Sequence, residues 1–140
     1  MPLLSPVAGT VVEIHDEEPD HRARRSQVTL VPYMLGQPKR IRAGVDAVAG
    51  NRVVIALSAQ GPFVVLAHLQ QGSTSVREGE QVVTDQPVGR CGNSGNSTEP
   101  HVHLQVSDST DWPRAKGVPI IFRHPSGSEW LPDTGDVVSR

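Results

Sequence analysis

The chain has 140 residues, 36% of them hydrophobic and 20% charged, which is the composition of one globular domain with its own core. A net charge of −2, with no long basic stretch, argues against a nucleic-acid binder driven by phosphate neutralisation. No apolar run approaches the roughly 20 residues of a membrane-spanning helix, Met1–Pro6 lacks the pattern of a secretory signal, and the single cysteine, Cys91, excludes a disulfide within the chain.

Taken in chain order, the apolar segments are short and rich in β-branched residues. Strands are predicted at 10–14 (Thr-Val-Val-Glu-Ile), 27–31, 52–57 (Arg-Val-Val-Ile-Ala-Leu) and 63–68 (Phe-Val-Val-Leu-Ala-His). Later ones are predicted at 81–83, 87–90, 101–106 and 119–122. Turn residues separate them: Ala8-Gly9, Gly50-Asn51, Gly61-Pro62, Glu78-Gly79 and Gly92-Asn93. No segment holds a helical period for ten residues, so an all-β domain is expected. Asp16–Arg25, acidic and then basic, reads as a solvated loop, and Gly36–Ala49 as an irregular insertion.

Chemistry is concentrated in the histidines. In a strand over 101–106, Val102, Leu104 and Val106 share one face, and His101, His103 and Gln105 the other. The two imidazoles then stand about 7 Å apart at their Cα atoms, so one ring can bind a metal while the other faces a substrate. The same pattern also fits a polar strand face. His68 closes the apolar run 64–67, where a hydrogen-bonded structural histidine is the plain alternative. Before the histidine pair lies Gly89-Arg90-Cys91-Gly92-Asn93-Ser94-Gly95-Asn96-Ser97. It lacks the lysine of a phosphate loop and the Gly-x-Ser-x-Gly of a nucleophile elbow. What remains is a tight loop that delivers the next strand in a fixed orientation, with Cys91 read as small packing within it in preference to a nucleophile paired with a histidine base.

Together the blocks Ser5-Pro6-x-x-Gly9-x-Val11-Val12, Gly50-Asn51-x-Val53-Val54-Ile55, Leu66-Ala67-His68-Leu69, Val76-x-x-Gly79-x-x-Val82, Gln86-Pro87-Val88-Gly89-x-x-Gly92-Asn93-Ser94-Gly95-Asn96-Ser97 and Glu99-Pro100-His101-Val102-His103-Leu104-Gln105 resemble the lysostaphin-type zinc metallopeptidases, the glycyl-glycine endopeptidases. The resemblance runs from about Pro2 to Val106, with a long insertion between Ile14 and Gly50. It implies an antiparallel sheet of the barrel-sandwich hybrid (duplicated hybrid motif) type with long loops. It implies zinc as cofactor and the peptide cross-links of peptidoglycan as substrate, hence an extracytoplasmic or cell-envelope location. It places a zinc ligand at His103 and catalytic groups at His68 and His101.

One departure bears on activity. The family carries a His-x-x-x-Asp element, which supplies two zinc ligands, before the strand that here begins near Leu3. That element is not found, so residues 1–140 are expected to form a single peptidase-like β domain, N-terminally truncated relative to the family. His15, Asp16, Asp20 and His21 follow the Gly9 strand instead of preceding it, and the topology does not bring them to the vacant positions. Zinc binding is then expected to be weak or absent and the domain incomplete as an enzyme. The alternative is a non-catalytic relative that binds cell-wall peptide or a partner protein. A biotinyl or lipoyl carrier shares some glycine spacing, but neither Lys39 nor Lys116 sits at a hairpin tip. A sugar-phosphotransferase carrier does not account for the His-x-His block.

Overall fold

A computed structural model describes residues 1–21, 48–124 and 126–137. Nine strands occur among them: β1 (Pro2–Leu4), β2 (Gly9–His15), β3 (Asn51–Ala56), β4 (Phe63–Leu69), β5 (Gln81–Val82), β6 (Pro87–Arg90), β7 (His103–Ser107), β8 (Phe122–Arg123) and β9 (Glu129–Trp130). The fold is all-β and every pairing between strands is antiparallel. A five-stranded sheet has the order β5-β2-β3-β4-β7, β1 pairs with β6, and β8 with β9.

Alternation decides which side chains meet. Val53 and Ile55 of β3, Val64 and Leu66 of β4, and Val11 of β2 point to one face, where they form the main core with Leu69, Val76, Val82 and Val88. Leu3 and Val88 bring the β1–β6 pair onto that core, and Val102, just before β7, closes it together with Leu104 and Val106 of β7. Each of these aliphatic side chains contributes about 1.5–3 kcal/mol on full burial. The opposite face of the same sheet carries a smaller apolar floor, Val54, Val65 and Ala67, flanked by Ala49, Phe63 and Trp112. β3, central in the sheet, is buried at all six positions.

The predicted strand at 27–31 and most of the 36–49 insertion lie outside the described residues. At 119–122 the structure differs from expectation: the strand is confined to Phe122–Arg123, where Phe122 faces Trp130 across the hairpin. Pro119 cannot donate a ladder hydrogen bond, and Ile121 is exposed, so among the described residues no ladder includes 119–121.

Candidate active site

Two bulges bring polar side chains to the floor face of the sheet. In β4, Leu66 and Leu69 both belong to the main core, so two residues stand between successive core positions instead of one. The pairing with β3 slips there: Arg52 opposes Ala67 and Asn51 opposes Leu69, leaving His68 as the inserted residue. Its φ is +61°, a left-handed conformation that costs a non-glycine residue energy and persists only where its surroundings hold it. In β2 the register slips in the same way between Val11 and Glu13, and both Val11 and Ile14 pack on the core side. Glu13 is thereby set beside Arg52.

His68 is only 9% exposed. Its Nδ1–H donates to the Ser94 carbonyl at 2.9 Å; a carbonyl only accepts, so this bond fixes the proton on Nδ1 and leaves the Nε2 lone pair available. Burial is the main force holding its pKa below the ordinary 6.5, aided by charge repulsion from His101 and His103 and opposed by the bond to Ser94. The His101 ring lies 4.8 Å from that of His68, centroid to centroid, and the His103 ring 6.0 Å. The three histidines therefore share one locality.

His101 is not within a strand: it makes an isolated bridge to Gly92, and β7 begins at His103. Its Nδ1–H donates to the Glu99 carbonyl at 2.8 Å, beside the Ser97 hydroxyl, which donates to the same oxygen. The Nε2 lone pair is left available, as in His68. His103 is oriented the other way. Its Nε2–H donates to Gln105 Oε1 at 3.2 Å, and the Gln105 amide N–H donates to Ser107 Oγ, which leaves the His103 Nδ1 lone pair available. Ring nitrogens are thus assigned by the carbonyl or amide each partner offers.

A groove of about 330 Å³ opens beside these rings, with Val65, Ala67, Val48 and Ala49 as apolar lining and Arg52, His68, His103, Gln105, Trp112 and Ala115 around them. Arg52 Nε donates to Glu13 Oε1 at 2.7 Å, and the indole N–H of Trp112 donates to Glu13 Oε2 at 3.2 Å. This ties the loop after β7 to the floor. Arg52, Glu13 and Trp112 were not anticipated from the sequence. The available signal was a charged residue opening an otherwise apolar run at 52–57, and an acidic one inside 10–14.

The loop that presents Ser94 is held by close backbone approach. Gly50 (φ +61°) and Gly95 (φ +65°) face each other so tightly that a Cβ on Gly50 would lie 2.6 Å from the Gly95 nitrogen. The Ser94 hydroxyl donates to the Leu69 carbonyl at 2.7 Å and accepts from Asn51 N–H. The segment expected to be a solvated loop is different in its described part, 16–21, which is bound down. Asp20 accepts main-chain N–H groups from Gln71 and Asn93, and Asp16 accepts from Thr74. His21 Nε2 faces the Gly95 carbonyl. Cys91 is half-buried and bridged to Leu69.

A catalytic zinc site needs about three protein donors and an open position. His103 offers one through Nδ1. Among the described residues no group of three or more His, Cys, Asp and Glu side chains is arranged to hold a metal ion. The described donors therefore do not make up a zinc site.

The model of peptidase family M23 matches residues 39–119. Among solved structures, the fold matches the catalytic domain of a point mutant of EnpA, a prophage-encoded M23 protein of Enterococcus faecalis, at 19% identity and a TM-score of 0.55, over 84% of this chain and 65% of that one. It also matches the catalytic domain of the antimicrobial peptidase lysostaphin from Staphylococcus simulans, at 20% identity and a TM-score of 0.51, over 84% of this chain and 66% of that one. The chain thus spans just under two thirds of either domain's length.

Proposed function

The chain belongs to peptidase family M23, of the lysostaphin type, and from that premise we propose that it is a peptidase domain for the peptide cross-links of bacterial peptidoglycan in which the described residues supply one zinc donor, His103. The observation that carries this reading is the convergence of three histidine rings: His68 and His103 line one groove, and the His101 ring packs against that of His68. The family is generally zinc-dependent. When bound, zinc polarises a peptide carbonyl and activates water. Among the described residues, His103 would be a donor to it, through Nδ1.

The other residues act on the peptide. With Nδ1–H committed to main-chain carbonyls, His68 and His101 each keep the Nε2 lone pair as acceptor for a peptide N–H or as general base for a proton at that atom. The lowered pKa of His68 keeps it in that neutral form at neutral pH. The apolar floor of Val65 and Ala67 excludes water beneath an extended peptide, and Trp112, fixed by Glu13, walls one side. A cell-wall substrate places the site of action outside the cytoplasm.

A second reading, a peptide-binding relative without turnover, is favoured by the incomplete donor set among the described residues. One experiment separates the two. Purified peptidoglycan is incubated with the 140-residue chain, and with a chain extended upstream by a His-x-x-x-Asp element, each with added zinc. Sacculus retention and released peptides are measured together. The expected result is retention by both, release by the extended chain alone, and loss of release on His103→Ala. Retention without release by either chain selects the binding reading. Neither retention nor release by either refutes both.

A further inference from the structure

We propose that Asp20 is a positioning residue for His68, acting through the two backbone segments that bracket the imidazole. The inference rests on reading His68 as a peptide-facing group. Asp20 Oδ2 accepts the N–H of Gln71, three residues beyond His68 in the chain, at 2.8 Å. Asp20 Oδ1 accepts the N–H of Asn93 at 2.7 Å. Asn93 immediately precedes Ser94, whose carbonyl accepts the His68 Nδ1–H. One carboxylate therefore clamps both the strand end that carries the ring and the loop that orients it.

The neighbour of Asp20 completes the clamp on the loop side. The His21 main-chain N–H donates to the Asn93 carbonyl at 2.9 Å, the Asn93 side-chain amide donates to the His21 carbonyl at 2.7 Å, and His21 Nε2–H donates to the Gly95 carbonyl at 3.1 Å. The far end of the same strap is anchored elsewhere: Asp16 accepts from Gly72 N–H through its carbonyl and from Thr74 N–H through its carboxylate. These bonds hold two loops together outside the main hydrophobic core.

The physical consequence is specific to one ring. Which imidazole nitrogen carries the proton is set by the hydrogen bond the ring makes. The Asn93–Gly95 loop contains a left-handed glycine, and His68 itself sits at φ +61°, so this geometry depends on external ties to hold it. Hydrogen bonds from main-chain N–H to a carboxylate are about twice as strong as neutral ones, which suits Asp20 to that task. Releasing Asn93 frees the Ser94 carbonyl to turn away. His68 then gains access to the Nε2–H tautomer, which puts a donor in place of the lone pair facing the groove.

The test needs no peptidase activity, so it stands apart from the proposed function. Two-bond nitrogen–proton correlation spectra of the histidine rings are recorded on the metal-free 140-residue chain at about pH 8, where an ordinary histidine is neutral. Amide hydrogen exchange is followed in parallel. Wild type is expected to show His68 as the Nδ1–H tautomer alone. Asp20→Ala is expected to give a mixture of both tautomers and to speed Asn93 amide exchange by about ten-fold. Asp20→Asn, which keeps one acceptor oxygen, is expected to fall between. Asp16→Ala is expected to speed Thr74 exchange and leave the His68 pattern unchanged. The proposal is overturned if Asp20→Ala leaves both His68 and Asn93 unaltered, if Asp16→Ala shifts His68 as much as Asp20→Ala does, or if wild type is already mixed. Should Asp20→Ala not fold, Asp20→Asn decides: a partial tautomer shift in a folded protein supports the proposal, and an unaltered His68 or loss of folding overturns it.

Discussion

Gly92→Ala isolates the contact that holds the site loop against the end of β4. Gly92 donates its N–H to the His68 carbonyl at 3.1 Å and bridges His101, so it links two of the three histidines. A Cβ at this position would fall 2.5 Å from the Leu69 carbonyl carbon and closer still to the Gln70 backbone. Ordinary contacts begin near 3.4 Å, so about 1 Å of backbone must move, and main chain cannot swing aside as a flexible side chain does. Overpacking of this kind costs about 1–3 kcal/mol, and the upper end applies where backbone is the obstacle. At about 3 kcal/mol the melting temperature of a domain this size falls by roughly 10 °C. Gly117→Ala is the control. A Cβ there meets nothing within 4 Å, and the change should stay within about 0.5 kcal/mol. Thermal melts of the two variants beside wild type make the comparison. If Gly92→Ala melts within about 2 °C of Gly117→Ala, the close approach is not a constraint and the reasoning fails.

Three other outcomes are expected. Asn51 is fully buried, and its side chain accepts from Glu18 N–H and donates to the Glu18 and Leu69 carbonyls, so Asn51→Ala should cost about 2–3 kcal/mol in urea unfolding; less than about 1 would show that water replaces those bonds. Trp112→Phe keeps the ring packing but loses the N–H donated to Glu13, and should cost about 1 kcal/mol in the same assay. The His68 pKa is lowered in the folded protein, so below its unfolded value of 6.5 the unfolded chain binds the proton more readily. His68 therefore contributes a loss of stability as pH falls through that value, and no pH dependence above it. Replacing His68 with Gln should flatten the slope in that window, and an unchanged slope would assign it to other groups.

The main sheet was legible because 10–14, 52–57 and 63–68 are short β-branched runs bounded by turn residues, and 101–106 alternates, all with aliphatic residues whose burial dominates folding. The common face of His103 and Gln105 followed from the same period of two. His68 did not follow from it. Counting by twos from Val65 and Ala67 puts His68 on the core side, and only the bulge returns it to the groove. Bulges depend on backbone torsions, and a histidine at positive φ leaves no mark in composition. The blocks resembling a known family located it where periodicity could not. The strap at 16–21 was hidden for another reason. Its acidic side chains bond main-chain N–H groups more than 50 positions away, so their charge reads locally as solvation. The Glu13–Arg52 pair was masked in the same way, since its partners lie on strands separated by the insertion.

The most direct test of the central reading is the zinc content of the 140-residue chain after loading and exhaustive dialysis into metal-free buffer, measured beside His103→Ala. On the proposed reading His103 is the one donor among the described residues, and one donor does not hold the ion against dialysis, because retention needs about three presented together. The expected result is well below one zinc per chain, with no difference between the two proteins. One zinc retained per wild-type chain, and lost on His103→Ala, would show that residues of this chain complete the site, and would contradict the reading.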